Sequence, residues 1–161
     1  MARLPRGAGV VLRTLGRAGE IARAPALAAL ARRRGLVFLV GADIALAIAL
    51  RADGVHLPER LAGRARIARR LRPGWIVTAA AHSVPALGRA WRAGVDAAVV
   101  SPVFNSRSPS AGVPIGPVRF AAWVRTKRLP VYGLGGIDAK TARRLKGCGA
   151  VGLASVDGLR T

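Results

Sequence analysis

The sequence has few acidic residues, few aromatic residues and a single cysteine. Because Cys148 is alone, an internal disulfide bond is excluded, and neither a CxxC pair nor a Cys–His zinc pattern is present. Seven Asp and Glu residues stand against 27 Lys and Arg residues, which gives a net charge of +20. Aromatic residues make up 4% of the chain, so platforms for stacking nucleic-acid bases are few.

The sequence also lacks a hydrophobic run of transmembrane length. Residues 35–50 are apolar, but the run is shorter than the ~20 residues of a typical span and contains Asp43. A signal peptide is not predicted, since Arg13 interrupts the short apolar stretch near the N-terminus. With 161 residues, 52% of them hydrophobic, the sequence predicts one folded domain over 1–161. We expect it in the cytoplasm, where a free thiol stays reduced.

The excess of arginine has two interpretations. Clustered arginines neutralise nucleic-acid phosphates, whereas arginines on the solvent faces of helices need no partner. Here the arginines are spread over several predicted helices instead of being gathered in one arm. A nucleic-acid partner is therefore the less favoured interpretation, and attraction of small anionic molecules is the simpler consequence of the charge.

Short apolar segments alternate with helical segments along the chain. The apolar segments do not alternate in polarity, which is typical of parallel strands buried on both faces. Seven strands are predicted, at residues 9–12, 36–40, 54–57, 75–79, 97–101, 130–134 and 150–154. Six helices are predicted, at residues 22–34, 44–51, 59–71, 84–93, 118–127 and 139–146. Asp138 is the predicted N-cap of the last helix.

This order of elements fits an open doubly wound sheet or a (β/α)8 barrel. No G-x-G-x-x-G follows the first strand, so a dinucleotide-binding domain is not favoured. Barrels of this class often bind phosphate after their last two strands. The last two predicted strands are followed by Gly135–Gly136 and by residues 155–158. Glycines at such places have two interpretations: they let backbone N–H groups approach an anion, or they only make tight turns.

Five segments, in order, resemble the thiamine phosphate synthase/TenI family: ADGVHL at 52–57, AHS at 81–83, SPVFNSRS at 101–108, GLGGI at 133–137 and GAVGLASVDG at 149–158. The resemblance implies a (β/α)8 TIM barrel, incomplete here because the first βα unit and the last helix are missing. A start site assigned too late, a fragment, or a reduced member closed by a partner chain would each explain this. The family's synthase uses Mg2+ to join a pyrimidine pyrophosphate to a thiazole phosphate.

The resemblance also implies roles for individual residues. Arg13 is the expected cation for the pyrophosphate, and His82 is the second candidate catalytic residue. The candidate phosphate-binding residues are Ser106, Ser108, Gly135, Gly136, Asp157 and Gly158. Asp157 stands where the family has a serine hydroxyl, and a carboxylate at that place repels a phosphate.

The family's two magnesium carboxylates are not retained, because their positions hold Ala42 and Leu61. Glu59 is the possible substitute, and Asp43 is also close in sequence. The histidine of TenI-type tautomerases is replaced by Pro102. Three hypotheses follow: a synthase-like transferase, a TenI-type relative that binds a phosphorylated or thiamine-like ligand without turnover, and a basic nucleic-acid-binding protein. The expected partners are small phosphorylated pyrimidines and thiazoles, with no membrane; a homo-oligomer is left open.

Overall fold

The computed structural model describes residues 4–14, 18–106, 112–125 and 129–156. The strands are β1 Gly9–Leu12, β2 Val37–Gly41, β3 Gly54–Leu57, β4 Ile76–Ala81, β5 Ala97–Val100, β6 Val131–Gly133 and β7 Gly152–Leu153. The helices are α1 Ala18–Arg33, α2 Ile44–Ala49, α3 Ala65–Leu71, α4 Val84–Arg92, α5 Gly116–Arg125 and α6 Ala139–Ala142. Two 3-10 segments, Glu59–Arg64 and Arg143–Leu145, precede α3 and follow α6.

Each predicted strand and helix overlaps an element of the structure, and the differences lie at the boundaries. The predicted helix over 59–71 divides into a 3-10 segment and α3, since tight 3-10 turns commonly lead into α-helices. The Asp138 cap is confirmed: its Oδ1 accepts the N–H groups of Lys140 and Thr141 at 2.8 Å each. The start of the last helix and the positions of the strands along the chain were therefore readable from a capping residue and from apolar runs.

All seven strands are parallel, and their order in the sheet is their order in the chain, β1 to β7. A doubly wound sheet reverses its strand order at a switch point, so that alternative is wrong. Sequential parallel strands with crossover helices are the arrangement of a (β/α) barrel. Among the described residues, β1 pairs only with β2 and β7 only with β6, so the sheet is a curled half-barrel.

The two faces of the sheet differ in burial. The outer face carries side chains such as Leu57, Val77 and Val100, which are fully buried in the core against the helices. The inner face carries Val11 and Tyr132, which are 39% and 38% exposed. Burial on both faces was expected and is wrong for these positions, because a half-barrel leaves part of its lumen open to solvent.

Residues 35–50 supply β2 and α2, as the predicted strand at 36–40 and the predicted helix at 44–51 require. None of the helices in the described ranges combines the length and the apolar character that a bilayer crossing requires.

Candidate functional site

The carboxyl ends of the strands meet at one edge of the sheet, since all strands are parallel. Arg13 follows β1, Glu59 follows β3 and His82 directly follows β4. Gly135 and Gly136 lie in the loop after β6. The fold thus gathers five of the predicted site residues at the edge where barrels of this class place their active sites.

His82 and Glu59 form one hydrogen-bonded unit. The His82 backbone N–H donates to Glu59 Oε2 at 2.9 Å. Glu59 Oε1 accepts from Arg89 of α4 at 2.7 Å. Glu59 therefore links the end of β3 to the start of the β4 loop and to α4, and its carboxylate is neutralised by a guanidinium.

The His82 ring is held by the end of β5. Its Nδ1 lies 2.7 Å from the Ser101 carbonyl oxygen and 3.4 Å from Ser101 Oγ. A carbonyl oxygen can only accept, so Nδ1 carries the proton and the neutral ring keeps its lone pair on Nε2. The His82 side chain is exposed, which leaves Nε2 for an external partner.

A row of inward-facing residues lies across the upper lumen. Gly41, His56 and Thr78 are register partners on β2, β3 and β4. A Cβ at Gly41 would lie 3.1 Å from the Leu12 carbonyl oxygen and 3.7 Å from Arg13 Cγ. The missing side chain at Gly41 therefore leaves room for the Arg13 side chain beside the row.

His56 is a partly buried, neutral imidazole in this row. Its Nδ1 is 2.9 Å from Thr78 Oγ1. Burial first, and the charge of Arg13 second, lower the pKa of His56 from 6.5 to about 4. An uncharged ring beside the arginine keeps that part of the lumen from carrying a second positive charge at neutral pH.

Positions 135 and 136 can hold only glycine, for conformational and steric reasons. Gly135 and Gly136 have φ values of +96° and +62°, which non-glycine residues seldom adopt. A Cβ at Gly135 would lie 2.7 Å from Pro102 Cα, and one at Gly136 would collide with the Asn105 carbonyl oxygen. The β6 loop can therefore pack against the β5 loop only with glycine at both positions.

The pair also presents unused hydrogen-bond donors. Phe104 N–H donates to the Gly135 carbonyl at 3.0 Å, and Thr141 Oγ1 donates to the Gly136 carbonyl at 2.8 Å. The N–H groups of the two glycines donate to no other residue of the described chain. Carbonyl groups thus fix the loop while two adjacent N–H groups stay available to an external acceptor.

The remaining predicted residues divide into two sets. Ser106 lies in the loop after β5, next to Asn105 and hence beside the glycine pair. Ser108, Asp157 and Gly158 lie outside the described residues, so their predicted roles stay predictions.

The carboxylates do not fit the magnesium centre that the resemblance implies. Both Glu59 oxygens have protein partners. Asp43 Oδ1 accepts the Leu46 N–H at 2.9 Å as the N-cap of α2. No cluster of three His, Cys, Asp or Glu side chains able to hold a metal ion occurs in the described ranges. The possible substitution by Glu59 stays a prediction that its contacts do not support.

Sequence reasoning missed the partners that orient these residues. Ser101, Thr78 and Arg89 were not predicted to contact the site. Each lies 19 to 30 positions from the residue it contacts, on another strand or helix. Of the three, only Thr78 left a signal in the sequence: it holds the same place in its strand, the third residue of β4, as His56 holds in β3, and the two are register partners.

The fold and the site together define a class: a parallel α/β barrel-type protein with a polar, anion-compatible site at the carboxyl edge of its sheet. The sequence matches the family model described as thiamine monophosphate synthase over residues 9–159. The chain belongs to the thiamine monophosphate synthase/TenI family.

Two relatives agree with this assignment, and one solved structure has the same fold. A thiamine-phosphate synthase from Roseiflexus sp. is 35% identical over 137 residues, which are 84% of this chain and 58% of that protein. A relative from Aquifex aeolicus is 34% identical over 131 residues, 80% of this chain and 68% of its own. The structure of thiamine phosphate pyrophosphorylase from Pyrococcus furiosus superposes with a TM-score of 0.77 at 24% identity, covering 92% of this chain and 72% of that one. The chain thus spans about 58–68% of the length of the curated relatives named here.

Proposed function

We propose that this chain is a thiamine phosphate synthase-like transferase that joins a hydroxymethylpyrimidine pyrophosphate to a thiazole phosphate. Family membership supports the class of substrates. The observation that carries the proposal at the site is the Gly135–Gly136 pair, whose adjacent N–H groups have no acceptor among the described residues. Successive backbone N–H groups in such a turn form a concave site for phosphate oxygens.

The reaction breaks the C–O bond to pyrophosphate, which leaves with the electron pair, and forms a C–N bond from the thiazole nitrogen to the same carbon. No side chain has to act as a nucleophile. The protein contributes by positioning both substrates and by stabilising the negative charge of the leaving group. Arg13, an exposed cation at the mouth of the lumen, is the residue we assign to the pyrophosphate.

His82 is assigned to substrate positioning through Nε2, since Nδ1 is engaged by Ser101. Glu59 acts through His82 and Arg89 as a positioning residue. No step is assigned to a metal ion, because Glu59 and Asp43, the two carboxylates considered for that role, already accept hydrogen bonds from the protein.

We further propose that the seven strands correspond to strands two to eight of an eight-stranded barrel. In this scheme β6 and β7 are the seventh and eighth strands, whose loops bind phosphate in barrels of this class. Ser106, Ser108 and Gly158 would complete the phosphate site, whereas the Asp157 carboxylate, which repels a phosphate, is assigned no contact with it.

The test is formation of thiamine phosphate from the two phosphorylated precursors by the purified chain. Arg13→Gln should lower kcat/KM by about 100-fold, the usual cost of removing one donor to a developing anion. The matched control is Arg23→Gln, which removes an exposed arginine of α1 and should leave the rate unchanged. A folded wild-type protein that makes no thiamine phosphate would contradict the proposal; stabilisation by thiamine phosphate without turnover would support a binding-only relative.

A further inference from the structure

Six arginines line a groove on the outer, helical side of the half-barrel, and Glu59 and His82 of the candidate site line its end at the carboxyl edge of the sheet. The groove runs between the 3-10/α3 segment and α4 and has a volume of about 860 Å³ in its larger part. The six, which we call the groove arginines, are Arg60, Arg66, Arg69, Arg70, Arg89 and Arg92. Arginine is spread along the chain, which disfavoured a nucleic-acid partner, but the fold brings arginines from separate segments together in this groove.

The charge of the groove is only partly compensated. Two of the groove arginines have carboxylate partners: Arg69 pairs with Asp96, and Arg89 pairs with Glu59. Glu59 is the one acidic residue among the described residues that line the groove. The other four groove arginines are exposed and form no ion pair with a described residue. The groove is therefore lined by four guanidinium groups that have no carboxylate partner among the described residues.

The groove is a built feature of the fold. Arg66 donates to the Arg92 carbonyl at 3.4 Å, which joins α3 to the end of α4. Arg69 donates to the Trp75 carbonyl at 3.2 Å and so fixes the lower end of α3. A Cβ at Gly88 would lie 3.7 Å from Arg92 Nη1, which places that guanidinium over the helix surface. Backbone contacts thus hold arginines on both sides of the channel.

We propose that the groove binds the phosphodiester backbone of single-stranded nucleic acid without reading its sequence. Guanidinium groups match phosphate oxygens in a bidentate geometry, and every cation in the groove is an arginine. A positive groove that follows the backbone is the electrostatic part of single-strand sites, whose other part is a set of aromatic rings on which bases stack. Apart from the His82 imidazole, no aromatic ring is among the described residues that line the groove, so base identity is not read there.

An acidic protein partner fits the groove less well. Protein interfaces depend on large apolar or aromatic anchors at their centres. The apolar residues that line the groove are small: Pro58, Ala62 and Ala93. Charge without an apolar centre matches a phosphate backbone, whose affinity derives mainly from counterion release.

The test is fluorescence anisotropy of the purified chain with a labelled single-stranded DNA of about 20 nucleotides and mixed sequence, at several salt concentrations. Four phosphate contacts predict a slope of log K against log[salt] of about −2.8. Arg66→Glu/Arg92→Glu should weaken binding at physiological salt by at least about 10-fold and reduce the size of the slope by about 1.4. The matched control, Arg23→Glu/Arg33→Glu on α1, makes the same change in net charge and should weaken binding by less than about 3-fold.

A second pair of variants separates loss of binding from misfolding. Arg66→Gln/Arg92→Gln is compared with Arg23→Gln/Arg33→Gln in the same binding assay, and the thermal unfolding transition of each variant shows that it is folded. The proposal is overturned if the groove and control variants lose the same affinity, because the field of the whole chain then explains the binding. It is equally overturned if the wild type does not bind at physiological salt. Competition by polyglutamate as effective as competition by unlabelled oligonucleotide would also overturn it, since phosphate would then not be the group recognised.

Discussion

Lowering the pH from 7 to 5 should destabilise the protein because His56 resists protonation in the folded state. Partial burial, and the charge of Arg13 second, lower the pKa of the His56 ring from 6.5 to about 4, whereas the unfolded chain binds a proton near the ordinary value. The unfolded state therefore takes up protons that the folded state excludes. This stabilising contribution is complete above about pH 6.5 and is lost as the pH falls toward about 4.

The size of the effect follows from the two pKa values. A pKa of about 4 in place of 6.5 corresponds to about 3 kcal/mol of unfolding free energy. About 2 kcal/mol of this is lost by about pH 5, where most carboxylates are still ionised. For a chain of this size that loss lowers Tm by roughly 4–8 °C.

The assay is urea unfolding at both pH values for the wild type and for His56→Gln. The variant keeps a hydrogen-bonding side chain near Thr78 but has no group that titrates there, so its stability should change far less between the two pH values. NMR of the histidine ring protons in a His82→Gln background reports His56 alone, and Arg13→Gln should move its pKa upward. Equal pH dependence in wild type and His56→Gln, or titration of His56 at its ordinary value, would refute the reasoning.

Three further predictions concern single side chains. Gly136→Ala should lower the unfolding free energy by about 3 kcal/mol in urea unfolding, because both the positive φ and the Asn105 carbonyl oppose a Cβ. The control, Gly147→Ala, has a φ of +74° but open space around it and should lower the unfolding free energy by only about 1 kcal/mol. Equal losses in the two variants would contradict the steric explanation. Glu59→Gln should cost about 1 kcal/mol and leave any response to added Mg2+ unchanged in calorimetry; a loss of Mg2+ binding would identify Glu59 as a ligand. Phe120→Ala removes a fully buried ring beneath the sheet and should lower the unfolding free energy by about 3–5 kcal/mol, a value near zero being incompatible with the packing described.

At the glycine pair, the sequence predicted the position of the loop but not its contacts. The position of Gly135 and Gly136 after a strand was readable from the apolar run that precedes them. Their contact with the β5 loop was not readable from the sequence. Pro102 and Asn105 lie about 30 positions away in sequence, and they come close to the glycines because the crossover helix α5 returns the chain to the neighbouring strand. The glycines were thus predicted as an anion site, whereas the structure adds a packing role.

The arginines illustrate the opposite case. Their number and sign were fixed by composition, and their distribution along the chain argued against a common surface. Helix periodicity, together with the docking of α3 beside α4, places six of them along one groove. Proximity of this kind depends on how helices pack, which a sequence does not state directly.

By itself, the sequence determined the seven parallel strands, the helices between them, the family and the loops that carry the candidate site residues. These features depend on local patterns: apolar runs, capping residues and short motifs. The tertiary structure decided what depends on long-range contact: the sequential order of the strands, the open lumen, the engagement of Glu59 by Arg89 and His82, and the lowered pKa of His56. Burial and the nearness of distant charges set those properties, and both exist only once the sheet has formed.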